Sequence, residues 1–197
     1  MTLPVLAELP AILLPFVTRA EQSFREAVQA LENDHGLAGW APERWAQWAR
    51  VSAASDFVIE QSVRDPLMLL TLVQSGELDR AFTPGELCAQ IAAAVKEAQT
   101  EDELGRALRR QRARHQVRII WRDLTRQADL VQTCRDLSDM ADASIDQAYQ
   151  WLYTRHCEQF GVPTGRRSGE PQQMVILGMG KLGAVELNLS SDIDLIF

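Results

Sequence analysis

The chain has 197 residues, 46% of them hydrophobic and 24% charged, with 27 acidic against 20 basic side chains for a net charge of −7. That length holds one sizeable domain or two small ones, and the acidic balance gives no support to a general nucleic-acid binder. Cys88, Cys134 and Cys157 form no C-x-x-C pair, and His35, His115 and His156 lie at no metal-ligand spacing, which argues against a zinc or thiol site and fits a reducing cytoplasm.

Leu3 to Val17 is apolar but broken by Pro4, Glu8, Pro10 and Pro15, with no basic residue before it; it is neither a signal peptide nor a membrane span. Pro15 can open a helix to Leu31, with Asn33-Asp34-His35-Gly36 as its stop. Pro42 opens a second helix that places Trp45 and Trp48 on one face just after Trp40. Without interleaved positive charge these aromatics read as a core wedge rather than a base-stacking platform. Ser55 can cap a short helix to Val63, and Asp65-Pro66 supplies a cap and first-turn proline for Leu67 to Val73.

Thr83-Pro84-Gly85-Glu86 and Thr100-Glu101-Asp102-Glu103 both read as capping boxes. The second is expected to open the longest helix, to about Arg126, carrying Arg106, Arg109, Arg110, Arg112, Arg114, Arg118, Arg122 and Arg126. Six of these recur every fourth residue, so the ladder drifts around the helix instead of forming one stripe. Two readings stand: a solvated helix laced to acidic neighbours, or guanidinium groups that grip a phosphate or an acidic partner. From Asp129 to Phe160 two helices are expected with Ser138 as the cap between them, Met140, Ile145, Tyr149 and Leu152 keeping helical spacing. Thr164 to Gln173 is a polar, glycine-containing link whose Arg166 and Arg167 could reach a phosphate, the solvated reading being the commoner one for such a pair.

The chemistry gathers in the last stretch, MVILGMGKLGAVELNLSSDIDLIF, from Met174 to Phe197. Met174 to Leu177 reads as a buried strand, and Gly178, Gly180 and Gly183 as a turn that lets backbone approach a bound anion. Leu182 to Leu187 then suits about two helical turns. Lys181 places a cation on that turn in a chain with one other lysine, Lys96. Asp192-Ile193-Asp194 begins a second strand, where alternation projects both carboxylates together and turns Ile193, Leu195 and Phe197 to a core. The spacing matches the dinucleotide fingerprint, but a Rossmann unit needs a longer crossover and an acid near the far end of the second strand. Paired carboxylates at a strand's start are better explained by a cation between them, Mg²⁺, two ions of which about 3.5–4 Å apart can clamp an in-line phosphoryl displacement. Ser190 and Ser191 cap and orient the acidic turn, since no base accompanies them.

Strand, glycine turn, short helix and D-x-D strand is the layout of polymerase-β-like nucleotidyltransferases. Within them GMGKLG, ELN and SSDIDLIF, together with LRRQRARHQVRIIWRDL some sixty residues upstream, resemble the adenylyl-removing half of the bifunctional glutamine synthetase adenylyltransferase/adenylyl-removing enzymes. Ala184 and Leu189 depart from the expected glycine and aromatic residue. The resemblance implies an α+β, predominantly helical fold: a helical domain over 1–163, a linker over 164–173, and the start of a nucleotidyltransferase domain over 174–197. A strand ending on Phe197 suggests a piece of a longer protein, with a third metal-binding carboxylate on a later strand. It further implies a cytoplasmic enzyme that removes AMP from adenylylated glutamine synthetase by phosphorolysis, releasing ADP, while a second half adenylylates it with ATP under a PII-type regulatory protein. Asp192 and Asp194 would be catalytic and hold Mg²⁺; Gly178, Gly180, Lys181, Gly183, Ser190 and Ser191 would hold the nucleotide and phosphate. No nucleic-acid or membrane partner is expected. A helical interaction module with an inactive nucleotidyltransferase remnant, or a nucleotidyltransferase for another substrate, are the alternatives.

Overall fold

A computed structural model of the chain describes residues 9–31 and 37–197. The expected stop at Asn33 to Gly36 and the residues before Leu9 lie outside them. The chain divides into two compact units, 1–81 with 113–130, and 82–112 with 131–197. The motif of 174–197 thus shares a unit with most of the last long helix.

In the first unit the helix starts follow local signals. Helix α1 (Leu14–Gln29) has Pro15 in its first turn, and α2 (Pro42–Ala54) begins on proline. Proline there gives up an N–H that a helix leaves unpaired anyway. For α3 (Asp56–Arg64) the Ser55 side chain accepts from the Val58 N–H, and for α4 (Pro66–Gln74) Asp65 accepts from Met68 N–H at 3.1 Å. These caps satisfy donors that the first turn leaves open. The core gathers Val17, Phe24, Trp48, Leu69, Leu72 and Trp121, all essentially inaccessible to solvent. Phe24 stacks on Trp48 with centroids 5.8 Å apart, and the Arg25 guanidinium lies 3.9 Å over Trp45. The tryptophans are therefore the expected wedge, Trp45 and Trp48 being buried.

Helix α5 (Glu86–Lys96) corrects the first capping box. Its N-cap is Gly85, not Thr83, and Glu86 reaches back from the first helical position to the Thr83 N–H at 2.9 Å. Helix α6 (Glu101–Leu124) starts on the second box: Glu103 N–H donates to Thr100 Oγ1 while the Glu103 carboxylate takes the Gln99 N–H at 2.7 Å.

The arginine ladder has a structural answer where it enters the first unit. Arg118 is wholly buried; its Nε donates to the Glu77 carbonyl at 2.9 Å and a terminal nitrogen to the Arg80 carbonyl at 2.5 Å. Arg114 pairs with the Glu77 carboxylate at 2.6 Å, and Arg122, 3% exposed, donates to the Gln127 carbonyl at 3.0 Å. These three are laced to an acid and to carbonyl groups, Arg118 and Arg122 inside the fold and Arg114 half-buried at its edge. Arg106, Arg109, Arg110 and Arg112 are exposed.

The pair of helices expected around Ser138 is a single one, α7 (Leu130–Phe160), and at 31 residues it exceeds α6 at 24. Ser138 does not interrupt it because its hydroxyl donates back to the Cys134 carbonyl at 2.8 Å, a bond an uninterrupted helix accommodates. In the second unit α7 packs Trp151 and Leu152 against Val95, Ala98 and Leu104, and the Trp151 indole N–H donates to the Ala98 carbonyl at 3.2 Å.

Candidate functional site

The segment after α7 is tied down before the glycine turn begins. Gly165 N–H bonds the Glu170 carbonyl at 2.8 Å and Gln172 N–H the Pro163 carbonyl at 2.8 Å, closing 164–173 into a turn. Arg166 and Arg167 are exposed on it.

Strand β1 is Leu177–Gly178 and β2 is Leu195–Ile196, paired antiparallel with Leu177 opposite Ile196 and Gly178 opposite Leu195. Both are shorter than expected: 174–176 and 192–194 carry no ladder. A two-stranded pair leaves one face and both edges open, so Ile193 is 43% and Phe197 73% exposed instead of turning to a core; only Leu195 is half-buried. Between the strands, α8 (Gly180–Gly183) is one turn, starting earlier and ending sooner than the two turns expected over 182–187. Val185, at φ 58°, ends it, since a β-branched residue in the left-handed region cannot continue a right-handed helix.

The glycines have separate physical reasons. Gly180 sits at φ +55°, the left-handed region. A Cβ on Gly183 would stand 2.5 Å from the Gly178 carbonyl oxygen, so the turn closes onto β1 only without a side chain there. Gly178 in turn packs under Leu182, which is buried.

The glycine turn and the aspartate segment meet. Met179 N–H donates to the Asp194 carbonyl at 2.9 Å, and Lys181 Nζ donates to Ser191 Oγ at 3.4 Å. Asn188 organises the serines: its side-chain oxygen accepts from Ser190 N–H and Ser190 Oγ, each at 3.1 Å, and from Ser191 Oγ at 2.8 Å. Sequence reading passed over Asn188, although an Asn followed by serines two and three residues on is an Asx-turn signature. Asp192 and Asp194 are exposed, and among the described residues neither carboxylate takes part in a salt bridge or side-chain hydrogen bond. No group of three or more His, Cys, Asp or Glu side chains suited to a metal is assembled among the described residues.

A cleft of about 320 Å³ lies between the hairpin and α7, lined by Asp142, Asp146 and Tyr149 and by Met174, Gly178 and Leu195. Partial desolvation, followed by the charge of Asp139, pushes the carboxyl of Asp142, an exposed residue, above its ordinary value.

Fold and motif together define the class: a predominantly helical α+β protein whose glycine turn joins antiparallel strands, which excludes the parallel dinucleotide-binding unit. The model of the glutamate-ammonia ligase adenylyltransferase family matches residues 45–197, and the chain belongs to that family. Similar proteins include the bifunctional glutamine synthetase adenylyltransferase/adenylyl-removing enzymes of Pseudomonas syringae pv. tomato, 69% identical over all of this chain and 20% of the relative, and of Pseudomonas aeruginosa, 62% identical with the same coverage. That of Shewanella woodyi is 39% identical over 96% of the chain and 19% of the relative. The chain thus spans about a fifth of the length of these curated relatives. Among the described residues no helix is long and apolar enough to cross a membrane.

Proposed function

We propose that this chain supplies the nucleotide-handling motif of the adenylyl-removing half of a full-length bifunctional enzyme acting on glutamine synthetase. In the reaction an oxygen of inorganic phosphate attacks the adenylyl phosphorus. The bond from that phosphorus to the tyrosine oxygen breaks, ADP leaves, and the tyrosine recovers its hydroxyl with a proton. A second half, outside this segment, adenylylates glutamine synthetase with ATP, and a PII-type protein sets the balance in the cytoplasm.

The observation that carries the reading is the junction of the glycine turn with the aspartate segment, through Met179 N–H on Asp194 and Lys181 on Ser191. It sets a cation and a close-approach backbone beside two uncommitted carboxylates. Lys181, Gly178, Gly180 and Gly183 would hold the nucleotide phosphates, with Ser190 and Ser191 orienting the turn. Asp192 and Asp194 would hold Mg²⁺, which takes hard oxygen ligands and commonly one or two carboxylates plus substrate phosphates, so the donor set fits. When bound, the ion would offset charge on the phosphoryl oxygens.

The test is phosphate-dependent release of ADP from adenylylated glutamine synthetase by the full-length protein, wild type against Asp192→Ala with Asp194→Ala. ADP release that disappears in the double variant is expected. A wild type that binds glutamine synthetase or its regulator yet releases nothing would replace this reading with that of an interaction module.

A further inference from the structure

The 174–197 segment has few apolar anchors. Leu182 and Leu187 are buried, but Met174, Val175, Leu177, Met179, Val185, Leu189, Ile193 and Ile196 are each at least 41% exposed. Hydrophobic burial therefore does not hold the motif in place along most of its length. Polar contacts from one helix do.

Three hydroxyls of α7 reach it. Tyr149 Oη accepts the Met174 N–H at 2.9 Å, Tyr153 Oη donates to the Gln172 carbonyl at 3.0 Å, and Ser138 Oγ, fully buried, accepts the Leu187 N–H at 3.3 Å while donating to the Cys134 carbonyl. At about 100° per residue, Tyr149 lies about 20° and Tyr153 about 60° around the helix from Ser138, so all three share one face. Their targets bracket the glycine turn: Gln172 and Met174 precede it and Leu187 follows. Leu187 is next to Asn188, whose side chain holds Ser190 and Ser191, and Ser191 meets Lys181.

We propose that Ser138, Tyr149 and Tyr153 are positioning residues for adenylyl transfer, setting the register of the glycine turn against Asp192 and Asp194 from a rigid helix. This rests on the function proposed above. None of the three touches the reacting atoms. They act through backbone groups on either side of the turn, where a small displacement misaligns a phosphoryl transfer while the helical body remains intact.

The experiment uses Tyr149→Phe and Ser138→Ala in the full-length protein, with Asp192→Ala as the inactive comparison. Removing the Tyr149 oxygen is expected to lower kcat for ADP release about tenfold, as loss of an orienting partner does. The Mg²⁺ concentration for half-activation should rise, KM for adenylylated glutamine synthetase should hold, and the melting midpoint should stay near wild type. Ser138→Ala should act in the same direction. In parallel, hydrogen exchange at the Met179 and Ser191 amides, which bond to Asp194 and Asn188 carbonyls, is expected to quicken in both variants. Unchanged kcat and Mg²⁺ dependence in the variants, or a loss that only follows the melting midpoint, would overturn the proposal. Were wild type itself to release no ADP, the functional reading would fall. The exchange arm would then still decide: unchanged protection in both variants refutes positioning, and faster exchange upholds it.

Discussion

Arg118→Met separates the two meanings an arginine-rich helix can have. Arg118 is wholly buried and its guanidinium serves the carbonyls of Glu77 and Arg80. Methionine fills much of the same volume with no donor. Each hydrogen bond from a charged group contributes about 1.5–3 kcal/mol, so losing two predicts destabilisation by about 3–6 kcal/mol, overlapping the range for breaking buried charged networks. The Arg114–Glu77 ion pair at 2.6 Å is left in place by the substitution. Urea unfolding followed by helical circular dichroism is the assay, with Arg110→Met as control: Arg110 is on the same ladder but exposed, and should shift stability by no more than about 0.5 kcal/mol. Equal, small shifts in the two variants would refute the reasoning, because an arginine that can be lost so cheaply is not committed to the interior and stays available to a phosphate or an acidic partner.

Two further outcomes follow from the second unit. Gly183→Ala places a Cβ 2.5 Å from a backbone carbonyl that cannot swing aside; overpacking of this kind costs about 1–3 kcal/mol locally, read as faster exchange at the Met179 amide with an unchanged helical melting curve, and unaltered Met179 protection would count against it. Asp142, although exposed to solvent, has a folded-state pKa raised by partial desolvation and then by the charge of Asp139, so its ionised form is mildly disfavoured by folding. The penalty is absent below the ordinary carboxylate range of the unfolded chain and grows as pH rises through the folded-state value. Asp142→Asn should therefore stabilise the chain at neutral pH and converge with wild type in acid; stabilisation that persisted in acid would assign it to something other than charge.

The helix starts were legible in the sequence because their causes are local. Pro15, Pro42, Ser55 and Asp65 act on backbone groups within three residues, so neighbours along the chain suffice to determine them. The family resemblance was legible for a related reason: GMGKLG and the SSDID segment are contiguous words, and all three glycines answer to contacts or φ angles set inside the motif. Length went wrong where the partner was distant or missing. Nothing near Met174 or Asp192 says that the ladder forms only at 177–178 and 195–196. A strand's extent depends on the chain opposite it.

Ser138 and Arg118 mark the boundary most clearly. By type and position Ser138 suits a helix cap as well as a helix interior, and its role depends on Leu187, 49 residues away. Arg118 suits a solvated helix face until the carbonyl of Glu77, 41 residues earlier in the chain, is brought to it. The sequence by itself determined where the first helices, α1 to α4, begin, the predominantly helical character and the family membership, through short-range backbone chemistry and contiguous motif words. Only the tertiary structure decided which arginines are interior, that α7 runs unbroken, and what holds the glycine turn beside the aspartates, because a side chain able to bond in several ways takes its role from the partner that folding delivers.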